Sequence, residues 1–137
     1  MKSTFITLAV SACLALPASA QVIIVSAKNP ISKMTKEQAA QIFLGQARSF
    51  ITGGQAEALD LAEDAPLRKA FYQAVTNKAP AQMKAHWSKM EFSGSGHAPK
   101  ALATSAEIVK QVSENPKYIA YVEASAVTPG VKVVLAL

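Results

Sequence analysis

Apolar and polar residues alternate along this chain in blocks that favour strands and helices in turn. Residues 22–25 form a continuous β-branched run, which is typical of a strand buried on both faces, as in a parallel sheet covered by helices. Further apolar runs predict strands over residues 58–62, 117–123 and 131–137. Segments with helical periodicity lie between these strands, so the pattern predicts an α/β domain.

Capping and turn residues mark the ends of the predicted helices. Thr35 and Thr104 each stand three residues before Gln or Glu, the capping box that begins a helix. Pro66 and Pro80 suit the first position of a helix, where a missing backbone N–H costs nothing. Gly45 follows the first helix at a position that favours a left-handed backbone.

The helix that begins at Pro66 has apolar residues at three- and four-residue spacing, which predicts one buried stripe and places Arg68 outside it. The stripe consists of Leu67, Ala70, Phe71, Ala74 and Val75. In the next helix Met83, Trp87 and Met90 share one face, which we interpret as core packing.

The start of the chain has the pattern of a cleavable secretory signal. An apolar run at residues 5–16 follows a basic start, and residues 18–20 fit the small-residue cleavage motif. We therefore predict a signal peptide at residues 1–20 and a periplasmic mature domain at residues 21–137. The apolar residues after Cys13 argue against a lipid-modified cysteine, and no later segment is apolar for long enough to span a membrane.

The formal charge of +5 is spread over the sequence instead of clustered, which argues against a nucleic-acid partner. His86 and His97 are the only histidines, and neither has a second ligand type at metal-binding spacing. No P-loop, dinucleotide fingerprint or nucleophile elbow occurs. We therefore expect no enzymatic activity, no metal and no cofactor, and we interpret His86 as a surface side chain.

Two segments resemble a known family. Residues 29–32 read Asn-Pro-Ile-Ser, and residues 35–45 begin with Thr-Lys-Glu-Gln and end in Ile-Phe-Leu-Gly. With the order of the later segments, they resemble the periplasmic substrate-binding proteins of phosphate ABC transporters. The resemblance implies a type 2 periplasmic-binding-protein-like fold: one lobe with a mixed, mostly parallel sheet flanked by helices. Members of that family have two lobes that close on a ligand, whereas this chain has residues for about one.

In the family a loop of the pattern Arg-x-Asp-Gly-Ser-Gly-Thr holds phosphate before a helix. The resemblance places this loop at residues 61–67, which read Leu-Ala-Glu-Asp-Ala-Pro-Leu here. Ala65 and Leu67 replace the hydroxyl donors, Pro66 lacks an N–H, and Asp64 adds negative charge. Because each hydrogen bond to a charged group is worth about 1.5–3 kcal/mol, we expect phosphate binding in the family's manner to be lost.

Arg68 remains as a cation beside the helix start, where N–H groups and the helix dipole favour anions. It either meets an anionic ligand or partner, or lies at the surface and pairs with Glu63 or Asp64. The loop around Gly94 and Gly96 is either a second anion contact or a flexible surface loop. The candidate ligand-binding residues are Asp64, Ala65, Leu67, Arg68, Ser93 and Ser95.

Two functional hypotheses follow. The first is a non-enzymatic binding module, related to the phosphate-transporter proteins, that binds a small oxyanion weakly near residues 64–68. The alternative is an accessory domain for a transporter, porin or membrane sensor. In that case the apolar surface at residues 65–67 contacts a protein partner or a second copy of the chain.

Overall fold

The computed structural model of the chain describes residues 20–137. The predicted signal peptide, apart from its last residue, and Cys13 lie outside the described residues. The described elements follow the predicted order of strands and helices, with one strand added. They are β1 (Gln21–Ser26), α1 (Lys36–Phe43), β2 (Glu57–Leu61), α2 (Pro66–Thr76), α3 (Pro80–Phe92), β3 (Lys100–Leu102), α4 (Ser105–Glu114), β4 (Tyr118–Glu123), a 3-10 turn (Ala124–Ala126) and β5 (Val131–Ala136).

The five strands form one sheet in the order β3-β2-β4-β1-β5. β2 pairs in parallel with β3 and β4, whereas β1 pairs antiparallel with β4 and β5. Four strands therefore run in one direction and β1 alone runs in the other, which confirms a mixed, mostly parallel sheet.

β1 is buried along its whole length, as its apolar run predicts. The expectation that it belongs to a parallel pairing is wrong, since both of its neighbours run in the opposite direction. A continuous apolar run indicates that both faces of the strand are buried, but it gives no information about the direction of the neighbouring strands.

The helix ends agree closely with the predicted signals. The Thr35 hydroxyl accepts from Gln38 N at 3.1 Å, and Gln38 Oε1 accepts from Thr35 N at 3.0 Å, so the first capping box is complete. Thr104 caps α4 in the same way, but the Glu107 carboxylate accepts from Ala103 N instead of Thr104 N. The second predicted box is therefore only half formed.

The core lies on both faces of β1 and β4. α1 and α2 pack against each other and against β2, while α4 packs against β1 and β4. The rings of Phe71 and Tyr121 are stacked with centroids 3.9 Å apart, and Phe43 meets the Phe71 ring edge-on at 4.7 Å. In the part of the chain that the structure describes, no helix is long and apolar enough to cross a membrane.

Candidate functional site

β2 and α2 meet at the carboxyl edge of the parallel strands. Residues 62–65 connect them in a tight turn in which Ala65 N donates to Ala62 O at 3.0 Å. Pro66 is the first residue of α2, as predicted, and no side chain caps the helix start. Ligands of open α/β sheets usually bind outside the carboxyl ends of the strands, so this edge is the first candidate for a site.

Asp60 lies near the end of β2 with only 3% of its surface exposed. Its Oδ1 accepts from Leu61 N at 2.8 Å and from the Tyr121 hydroxyl. Its Oδ2 accepts from Arg68 Nε at 3.2 Å and from the Tyr72 hydroxyl at 2.8 Å. A buried carboxylate is tolerated when it is paired and hydrogen-bonded, and these four donors meet that requirement.

Arg68 lies inside the protein, so the expected surface pairing with Glu63 or Asp64 is wrong. Its side chain is 10% exposed and pairs with Asp60, while Glu63 and Asp64 are exposed to solvent. The guanidinium carbon also lies 4.9 Å from the centre of the Tyr72 ring. The arginine pairs with Asp60 because a buried carboxylate without a compensating cation would cost several kcal/mol.

The buried stripe of α2 is rotated from the predicted one. Ala70 and Ala74 are exposed, and Leu67 is only half-buried. Two polar side chains turn inward instead because Asp60 accepts their hydrogen bonds. The buried residues are Arg68, Phe71, Tyr72 and Val75.

Asp60, Arg68, Tyr72 and Tyr121 are here called the Asp60 cluster, and its contacts shift the pKa values of Arg68 and of the two tyrosines. Burial lowers the pKa of Arg68, but the charge and hydrogen bond of Asp60, with the two tyrosines, outweigh burial and raise that pKa above its usual value. Burial first, and then the charge of Asp60, raise the pKa of Tyr72 and of Tyr121 well above that of a free tyrosine. Arg68 is therefore protonated at neutral pH, and both hydroxyls are neutral hydrogen-bond donors.

A cavity of about 290 Å³ opens between the end of β2 and α3, and we call it the α3 cavity. Arg68 and Asp60 border it from one side, and Lys84, Glu63 and Glu91 supply the other charged groups. The ε N–H of Arg68 bonds to Asp60, whereas its terminal N–H groups make no hydrogen bond to residues 20–137. The guanidinium can therefore still donate to a ligand while it holds Asp60.

Trp87 also borders the α3 cavity and is only 6% exposed. The far edge of its ring packs on Gly45, where a Cβ atom would lie 3.1 Å from Cη2. The indole Nε1 is buried and has no hydrogen-bond partner within residues 20–137. Trp87 therefore forms the predicted core packing and has a buried N–H donor without a partner among these residues, although buried indoles usually have one.

His86, the residue before Trp87, is not the expected surface side chain. It is half-buried, and its Nε2 lies 2.8 Å from the carbonyl oxygen of Leu44 at the end of α1. The ring therefore ties α3 to α1.

Only one of the predicted ligand residues borders the α3 cavity, namely Arg68. Asp64 is exposed, and Ala65 and Leu67 are half-buried against the core. The carbonyl oxygen of Leu67 accepts a hydrogen bond from Gln21 Nε2 at 3.3 Å. At the start of α2, Ala65 and Leu67 thus pack against the core, and their side chains supply no hydrogen-bond donor to a ligand.

Ser93 and Ser95 lie in the loop after α3 and are not joined to the start of α2 by any hydrogen bond within the described chain. The Ser93 hydroxyl donates to Met90 O at 3.2 Å, and the two serine hydroxyls are 2.7 Å apart. Both hydroxyl protons are therefore used inside the loop. The carbonyl oxygen of Ser95 accepts from Arg48 Nη2 at 2.6 Å, a contact that the sequence did not indicate.

Among residues 20–137, no group of three or more His, Asp or Glu side chains is arranged to hold a metal ion. The residues that the sequence missed are Asp60, Tyr72, Tyr121 and Lys84. Asp60 carried a usable signal, because a carboxylate inside an otherwise apolar predicted strand requires a buried partner.

No protein-family model and no curated protein matches the sequence. Solved structures do match it. An ABC-type phosphate transport receptor from Vibrio cholerae is 15% identical with a TM-score of 0.66, over 84% of this chain and 45% of that chain. The fold is that of phosphate-transport binding proteins.

Two further structures agree with this assignment. A putative phosphate ABC transporter substrate-binding protein with bound phosphate from Clostridium perfringens is 20% identical, with a TM-score of 0.68 over 84% of this chain and 44% of that one. PstS from Borrelia burgdorferi is 15% identical, with a TM-score of 0.64, over 84% of this chain and 46% of that chain. The chain therefore spans less than half the length of these proteins, and the likeness extends to the fold of about one lobe.

Proposed function

We propose that the chain is a non-enzymatic, periplasmic binding module that binds a small oxyanion weakly in the α3 cavity. The proposal depends on Arg68, which borders the cavity and whose terminal N–H groups make no hydrogen bond within residues 20–137. Lys84 adds a positive charge there. Oxyanions accept several N–H donors at once, and a guanidinium matches them in a bidentate manner.

Weak binding follows from the charges around the cavity. The positive charge of Arg68 is balanced by Asp60, and Lys84 is opposed by Glu63 and Glu91. The lining therefore has no excess of positive charge to attract an anion. We propose a dissociation constant of about 1 mM, equivalent to about −4 kcal/mol.

The fold and the predicted signal peptide support a role beside a membrane transporter. The Clostridium perfringens relative contains bound phosphate, so phosphate is the first ligand to test. The proposed partner is a membrane component of an ABC transporter.

The test is a titration of residues 21–137 with phosphate, sulfate and molybdate, followed by calorimetry and by the single indole N–H signal of Trp87 in NMR spectra. We expect the indole signal to shift saturably and Lys84→Gln to weaken binding several-fold. Lys110→Gln, an exposed lysine on α4, is the matched control and should change nothing. The absence of heat and of any shift up to about 10 mM of each anion would remove small-anion binding from this cavity.

A second candidate function is contact with a protein partner as an accessory domain of a transporter, porin or membrane sensor. Phe92, the last residue of α3, is 97% exposed, and exposed aromatic side chains are common anchors of interfaces. Sedimentation velocity of the wild type and Phe92→Ser tests the self-associating form of this hypothesis. Dimers that Phe92→Ser abolishes would support it, and a monomer at every concentration would exclude it.

A further inference from the structure

A larger cavity, of about 440 Å³, lies at the amino end of β2, whereas the α3 cavity lies at its carboxyl end. Gln55 and Glu57 border it from the amino end of β2, and Gly96 and His97 border it from the loop after α3. Pro99 borders both cavities, so the loop forms a wall between them. We call this space the Arg48 cavity.

Two cations in the Arg48 cavity are not balanced by acids. Arg48 and Lys100 both border the cavity, and neither forms a salt bridge within residues 20–137. Glu57 is the acidic residue of the lining, and its carboxylate lies 3.2 Å from Lys117 Nζ. Two positive charges therefore remain available, in contrast to the balanced charges of the α3 cavity.

Arg48 is held in place by the loop after α3. Its Nη2 donates to Ser95 O at 2.6 Å, and a Cβ atom on Gly96 would lie 3.7 Å from the same nitrogen. The backbone N–H groups of Gly96 and His97 make no hydrogen bond to residues 20–137. A positioned guanidinium and two available amide donors are the groups that bind a phosphate or carboxylate.

The size and lining of the Arg48 cavity indicate an organic ligand instead of an inorganic ion. Its volume of about 440 Å³ falls within the range of small-molecule sites, and Ile42, Ala56 and Ala58 supply apolar surface. We propose that the cavity binds a small organic dianion, a phosphomonoester or a dicarboxylate, with its charged group at Arg48 and Lys100. This site is separate from the α3 cavity and does not depend on oxyanion binding there.

The test uses residues 21–137 with glycerol 3-phosphate, succinate and inorganic phosphate, and with glycerol as the uncharged control. The readouts are the NMR signals of the Gly96 and His97 amides and the dissociation constant. We expect at least one organic dianion to shift both amides saturably, and glycerol to leave them unchanged. Comparison of the two dianions decides between phosphomonoester and dicarboxylate.

Arg48→Gln and Lys100→Gln are each expected to weaken binding about tenfold, because each removes one hydrogen bond between charged groups. Both residues are exposed, so these variants should fold, and thermal unfolding checks that they do. Lys110→Gln, an exposed lysine on α4 that borders neither cavity, is the matched control and should bind within about twofold of the wild type.

No saturable shift of either amide up to about 10 mM of any dianion would overturn the inference. Unchanged binding by the Arg48→Gln/Lys100→Gln double variant would overturn it as well. A response confined to the Trp87 indole and sensitive to Lys84→Gln would place the anion in the α3 cavity. That result would contradict this inference and support the proposed function, so the two failures are distinguishable.

Discussion

Replacing Arg68 by Met should strongly destabilise the domain, because it leaves the buried Asp60 carboxylate without its cation. Arg68 and Asp60 side chains are only 10% and 5% exposed, so solvent screens their interaction little. Removing one partner of a buried ion pair leaves the other charge without compensation and typically costs about 3–5 kcal/mol. Because whole domains are stable by roughly 5–15 kcal/mol, this loss should bring the variant close to unfolding.

The measurement is urea denaturation followed by the fluorescence of Trp87, the only tryptophan of the chain. Tyr72→Phe removes one hydroxyl that donates to Asp60 at 2.8 Å, and a smaller loss of about 1.5–3 kcal/mol is expected. Lys117→Met breaks an exposed salt bridge to Glu57 and should have no measurable effect on stability.

A double-mutant cycle of Arg68→Met with Asp60→Asn isolates the pair from other effects. The double variant removes both charges, so it should lose clearly less stability than the sum of the two single variants. A coupling energy of about 2 kcal/mol or more is expected for buried, hydrogen-bonded charges. A value below about 0.5 kcal/mol would refute the description of Asp60 and Arg68 as a buried, interdependent pair.

Three further outcomes can be checked separately. Tyr72 and Tyr121 have raised pKa values, so the folded state keeps their protons to higher pH than the unfolded state. In urea denaturation at different pH values, these two groups should add no pH dependence below about pH 10, and above it each should lower stability by roughly 1.4 kcal/mol per pH unit. Gly45→Ala should lower the thermal unfolding temperature of the domain more than Gly53→Ala does. Both glycines have positive φ, but only at Gly45 would the added Cβ lie 3.1 Å from the Trp87 ring. Glu91→Gln removes a negative charge from the lining of the α3 cavity, so it should strengthen anion binding there several-fold, as measured by calorimetry. An unchanged affinity would argue that the anion binds elsewhere.

Local sequence signals were sufficient for most of the fold. Thr35, Pro66 and Pro80 identified the helix starts because their effects operate within one turn of backbone. β3 was missed since its three residues are mostly exposed and follow a Gly- and Pro-containing loop, so no apolar pattern marks them. Its pairing with β2 depends on a distant strand, which local pattern does not show.

The candidate site was harder to predict because its contacts join distant parts of the chain. Asp60 meets Tyr121 across 61 positions, and Arg48 meets Ser95 across 47. Hydrophobic periodicity assigned Arg68 to the surface because it scores side chains by apolarity alone. A single buried carboxylate reverses that assignment, since it makes the interior favourable for a guanidinium and a phenol.

The position of uncompensated charge decides where an anion can bind in this fold. At the carboxyl edge of β2, the resemblance would require an arginine at residue 61, where this chain has Leu61, and Arg68 is paired with Asp60. At the amino edge, Arg48 and Lys100 have no acidic partner within the described residues, and Glu57 is paired with Lys117. Since an arginine already paired with a buried acid gains little from a second anion, the stronger attraction for an anionic ligand should lie at the Arg48 cavity.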